Sequence, residues 1–132
     1  MPDDPATLRA LAARVMAGEA TKEEIAIALG WRIQSDLIDG AYWVTYDTGD
    51  WFKNLPLFLH SLDAADALFA PLRERGWLTR YGEKEAGAWY AIGHRPGPCR
   101  DPVSVSPAPT EPRARTALAL LCRAVEMEGE TA

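Results

Sequence analysis

The chain has 132 residues, enough for one domain and too few for two independent cores. Apolar residues make up 48% of it and charged residues 25%, the proportions of an ordinary soluble globular protein. The formal net charge of −5 argues against a general phosphate-binding surface, which needs clustered lysine and arginine.

The opening stretch MPDDPATLRALAARV has two early acids and no long apolar core, so it does not read as a signal peptide. No apolar run approaches the roughly 20 residues that span a bilayer. Asp4-Pro5 is a cap followed by proline at the first helical position. Leu8, Leu11, Ala12, Val15 and Met16 then recur at helical spacing, and Gly18 ends the helix. TKEE is a capping box between Thr21 and Glu24. It opens a short helix through Ile25, Ala28 and Leu29 that stops at Gly30, and the two helices are expected to form a compact hairpin.

Residues 31–60 have the weakest pattern. AYWVTYDTGDWF is rich in aromatic and β-branched residues, so 41–46 is a predicted strand and Asp47-Thr48-Gly49-Asp50 a turn. Ser61 caps the next helix, whose stripe is Leu62, Ala65, Phe69 and Leu72. Pro71 removes a donor and crowds the carbonyl of Ala67, which predicts a kink or break. Gly76 closes the helix. Trp77 then begins a strand over 77–82, EKEAG turns the chain, and 86–94 returns as its antiparallel partner. An apolar helix ending in Gly-Trp occurs twice, in IALGW and RERGW, as one junction used again.

Six prolines fall between Pro96 and Pro112, so 96–112 is predicted to be an extended connector with nothing to pack. Thr110 caps a last helix over 111–128, with Glu111 and Pro112 in its first turn. Ala114, Leu118, Leu121 and Val125 form one line, and Leu120, Ala124 and Met127 widen the apolar arc beyond one surface stripe. Arg115, Thr116, Ala119, Arg123 and Glu126 fall on the outward arc. The helix therefore lies under other elements or meets a second chain, with Leu120, Ala124 and Met127 as candidate homodimer contacts.

The order of EIAIALGW, an aromatic loop, LPLFLHSLDAADAL, GWLTRY, AWYAIG and TEPRARTALALLCRAV resembles the small phage and prophage proteins of the phage ABA sandwich domain family. The likeness covers residues 8–127, through Gly30-Trp31, Ser61 to Ala65, Gly76-Trp77 and Thr110. It implies a single α+β domain over 1–132, an α/β/α-type sandwich with helices packed on a small, mainly antiparallel sheet. It also implies a phage or prophage origin, the bacterial host cytoplasm as location, and no assigned activity. The proline-rich link is longer than in that family.

Chemical motifs are sparse. His60 lies three residues before Asp63, without a third orienting group for acid–base work. His94 and Cys99 lack the further ligands of a tetrahedral metal site. Cys99 and Cys122 form no disulfide framework and read as free thiols. Asp36, Asp39, Asp47 and Asp50 lack the alternation and terminal glutamate of a calcium loop. The first two helices could mimic a helix-turn-helix, but Lys22 is the only donor at its recognition end. Arg73, Arg75 and Arg80, with Glu74 among them, are the nearest approach to a basic patch. No metal, cofactor or nucleic acid is expected.

Of the five tryptophans, Trp31, Trp77 and Trp89 fall at core strand positions. Trp43 and Trp51 instead frame a loop with Tyr46, Asp47 and Phe52, the one stretch that reads as a binding surface. Three functions are consistent with this. The first is a non-enzymatic accessory protein that contacts a host or phage protein. The second is an inhibitor of a host defence or nucleic-acid enzyme through its acidic surface. The third is a small-molecule binder using the aromatic loop 43–52 with Asp47 and Asp50.

Overall fold

The computed structural model describes residues 2–36, 40–46, 49–97 and 101–131. Helix α1 (Pro5–Ala17) starts as its sequence requires: the Asp4 carboxylate accepts the Thr7 N–H at 2.8 Å, and Pro5 occupies the first turn. Gly18 ends it in the left-handed region, at φ 78°. In α2 (Lys22–Ala28) both bonds of the Thr21–Glu24 capping box form. The two helices do not make the expected compact hairpin. They are tied by the Arg14–Glu24 ion pair, while the buried face of α1, Leu8, Leu11, Ala12 and Val15, lies chiefly along the last helix. Seven residues of α2 offer too little apolar surface to compete for it.

The chain is α+β, with two separate three-stranded antiparallel sheets. The first comprises β1 (Arg32–Asp36), β2 (Gly40–Val44) and β3 (Trp51–Phe52), in that order. The predicted strand over 41–46 forms as β2 and pairs with its sequence neighbours on either side, apart from the 77–94 hairpin. Short connections favour exactly such local pairing, since they cost little loop entropy.

The predicted break at Pro71 is present. Helix α3 (Leu62–Ala67) stops, Leu68 and Phe69 intervene, and α4 (Ala70–Glu74) carries Pro71 in its first turn, where no donor is lost. Ser61 caps α3 through the Ala64 N–H. The second sheet contains the expected hairpin, β4 (Leu78–Glu85) and β5 (Ala88–His94), with a bulge near its turn. Its third strand is a correction. Val103–Ala108, within the stretch predicted to be an idle connector, is β6, pairing with β5 and burying Val105 and Ala108. Proline is tolerated because β6 is an edge strand and its register shifts between the partners Trp89 and Ala91, beside Pro107. Alternating Val103 and Val105 supply the inward face.

Helix α5 (Glu111–Thr131) is the centre of the molecule. It touches α1, α3, α4 and all three strands of the second sheet, so most of its length is enclosed. Ala114, Ala117, Ala119 and Ala124 are fully or almost fully buried, and their small side chains let the surrounding elements approach closely. Thr116 and Ala119, placed on the outward arc by the sequence, are buried too. The Thr116 hydroxyl donates to the Phe58 carbonyl at 2.8 Å. Gly93 shows how tight the sheet–helix contact is: a Cβ there would sit 2.7 Å from Cys122 Sγ. Among the described residues no helix is long and apolar enough to cross a membrane.

Candidate functional site: an aromatic sheet beside an open cavity

The first sheet is attached to the body through aromatic rings. Cross-strand pairing places Ile33, Trp43 and Phe52 on one face and Arg32, Val44 and Trp51 on the other. Phe52 stacks on Trp31, with ring centres 5.6 Å apart and planes at 13°. Trp31 in turn meets the buried Phe58 edge-on at 5.5 Å. Val44 is buried, and Tyr42 packs edge-on against Trp51 at 5.7 Å. The Thr45 N–H donates to the Asp50 carbonyl at 2.8 Å and closes the loop between β2 and β3.

This attachment leaves an open cavity of about 240 Å³ between the sheet and the helical body. It is lined by Trp31 and Phe52 at the first sheet, by Leu68 and Pro71 from the α3–α4 segment, and by Ala119 and Arg123 of α5. Asp50, Glu74 and Arg75 stand around it. Of the side chains singled out from sequence, Phe52 lines the cavity. Trp51, 68% exposed, and Tyr46, also exposed, lie outside it on the same small sheet and its loop. Trp43 is half-buried and packs against the core. Asp47 lies outside the described residues, as do Asp39 and Cys99. Ile33, 60% exposed, shares the face of Phe52 and was not singled out, because RIQSD carries only one apolar residue.

The proposed interface on the last helix is corrected. Leu120 and Ala124 are completely buried within their own chain, so these two side chains have no surface to offer a second copy, while Met127 is partly buried against the same core. The wide apolar arc reflects a helix enclosed by its own fold.

The polar side chains around Arg123 are organised by Glu126, which the sequence placed facing solvent. Its carboxylate accepts from Arg75 Nε and Nη2 at 2.9 and 2.8 Å, from Trp77 Nε1 at 3.0 Å and from Arg123 Nη1 at 3.1 Å. Burial alone would raise its pKa, but the hydrogen bonds and charge of Arg75, with Trp77 and Arg123, hold it below the usual carboxylate range. The three-residue spacing of Arg123 and Glu126 was readable on the helix; the approach of Arg75 from α4 was not.

A second group gathers at Asp66, which accepts from Arg73 at 3.1 and 2.5 Å and from Arg115 at 2.7 Å. The hydrogen bonds from Arg73 outweigh burial and keep its pKa low. Arg115 also lies over the Tyr81 ring at 3.7 Å and reaches Glu111. Arg73 and Arg75 therefore serve internal ion pairs. Cys122 is buried, and burial, then the nearby Glu126 charge, pushes its thiol well above the ordinary range, far from a reactive thiolate. His60 and Asp63 are exposed and share no hydrogen bond. Among the described residues no group of acidic, histidine or cysteine side chains is arranged to hold a metal ion.

Comparison with known protein families, with curated proteins and with solved structures returns no match.

Proposed function

We propose that this protein is a non-enzymatic accessory protein that acts by contact with another protein, through the first sheet and the mouth of the cavity. One observation supports this above others: the first sheet shows large apolar side chains to solvent on both faces, Ile33 and Phe52 on one and Trp51 on the other, with Tyr46 on its loop, next to a concave apolar site. Large apolar side chains grouped on a surface and rimmed by polar ones mark contact sites, and Trp and Tyr carry much of the binding energy in such places. A phage or prophage setting is proposed on the sequence resemblance alone, and the genes flanking the coding sequence test it.

The contact reading is tested by capture from a bacterial host lysate with mass-spectrometric identification, using the native chain and two exposed-site variants. Trp51→Asp is expected to lose the captured partner. Leu78→Asp, at a 70% exposed position on the second sheet, is expected to keep it. Equal capture by all three, or none by the native chain, counts against the reading.

A further inference from the structure

We propose that the cavity seats a single large apolar side chain of the partner, and that this side chain is flanked in its own chain by lysine or arginine. The proposal rests on the contact reading above and names the chemistry of what is contacted.

Size comes first. A cavity of about 240 Å³ exceeds the roughly 150 Å³ that holds a benzene ring and falls short of the several hundred Å³ of most small-molecule sites. One indole, phenyl or branched aliphatic group fills it. The lining suits a ring, since it includes the stacked Trp31 and Phe52 rings together with Leu68 and Pro71.

Charge gives the sign of the flanking residues. The charged residues around the cavity are Asp50, Glu74, Arg75 and Arg123, which cancel. Glu126 lies behind both arginines and hydrogen-bonds to each, leaving the whole site one negative charge in excess. The excess is at the rim. Glu74 is exposed there and makes no ion pair among the described residues. The faces of Trp31 and Phe52 add negative potential of their own. A cation next to the anchoring side chain is thus attracted at the mouth, and an anion there meets the Glu74 carboxylate. The net charge of −5 acts in the same direction at longer range.

The test uses acetylated, amidated tripeptides Lys-Trp-Lys and Glu-Trp-Glu titrated into ¹⁵N-labelled protein and followed by NMR. Lys-Trp-Lys is expected to saturate near or below about 1 mM, shifting the Trp31 indole N–H and the Leu68 and Ala119 amides. Glu-Trp-Glu is expected to bind about tenfold more weakly. Glu74→Lys, an exposed change that leaves the core alone, is expected to narrow or reverse that preference. Ala70→Trp, at an exposed position on the cavity wall, is expected to block both peptides while the spectrum elsewhere stays native. Saturation by neither peptide, or shifts confined to residues away from the cavity, overturns the inference. Equal binding of the two peptides overturns its electrostatic part. Failure of the peptides together with Trp51-dependent capture from lysate would leave the contact reading standing without this occupant. Peptide binding without any captured partner would overturn the contact reading and, with it, the assignment of the occupant to a partner protein.

Discussion

Glu126 illustrates how a polar side chain on a helix can be read correctly for spacing and wrongly for place. Its folded pKa lies below the unfolded value near 4.5, because the donors of Arg75, Trp77 and Arg123 prefer the charged form by more than burial disfavours it. The unfolded chain therefore takes up this proton first. The stabilisation is complete above the unfolded value and is lost as pH falls through the folded one. Asp66, held low by Arg73 and Arg115, adds to the same acid limb. Glu126→Gln is expected to cost about 1–3 kcal/mol at neutral pH, by weakening a half-buried cluster of donors. The gap between native and variant should shrink as the pH is lowered from neutral to well below the unfolded value, since the native carboxyl takes up its proton as pH falls through its depressed folded pKa. Urea unfolding across that pH range measures it; a gap that does not change with pH contradicts the assignment. Thr116→Val is expected to cost about 1–2 kcal/mol with little pH dependence, since it keeps shape but leaves the buried Phe58 carbonyl without its donor.

Between elements, the closest fit is that of the second sheet on α5, and Gly93 is its gauge. Adding a methyl group there places carbon 2.7 Å from Cys122 Sγ, a distance the packed interior cannot accept without moving strand or helix. Gly93→Ala is expected to cost about 1–3 kcal/mol. Cys122→Ala removes the obstructing sulfur, so the double variant is expected to be more stable than the sum of the two single changes implies. Thermal or denaturant unfolding of the four proteins gives the coupling, and strict additivity would mean that the contact is not limiting. This scale also shows what the sequence carried. Caps at Asp4, Thr21 and Ser61, the break at Pro71 and the 78–94 hairpin were legible because each depends on a few neighbouring residues. Strand β6 was not, because its prolines suggest a linker unless one knows that it lies at an edge, and an edge exists only once β5 is in place. Strand β1 was hidden for a related reason. Arg32 to Asp36 is mostly polar, and what holds it is pairing with β2 rather than burial of its own side chains. Of the candidate site, the sequence supplied Phe52 and Trp51 as aromatic neighbours, but other lining residues come from the α3–α4 segment and from α5, far along the chain.

For the whole molecule, the central place of α5 decides what kind of assembly the chain can have. An apolar arc this wide would signal a dimer seam on a peripheral helix, yet here Leu120 and Ala124 have no exposed surface and the arc is met by α1, α3, α4 and the second sheet of the same chain. A helix enclosed in this way contributes to folding in the monomer, and removing part of it opens a cavity rather than a surface. Leu120→Ala is therefore expected to lower unfolding free energy by about 2–5 kcal/mol. For both native and variant proteins, the urea midpoint should not move when protein concentration is varied a hundredfold or so, since no association through this helix is linked to folding. If the native midpoint instead rose with concentration, and Leu120→Ala abolished that rise, α5 would have to be shared between chains and the enclosed helix would not be the folded state in solution. The exposed sheet makes the opposite expectation testable in the same experiment. Trp51→Ala should leave the midpoint within the equivalent of about 0.5 kcal/mol of the native value, because a side chain facing water contributes little to folding and is free to contribute to binding.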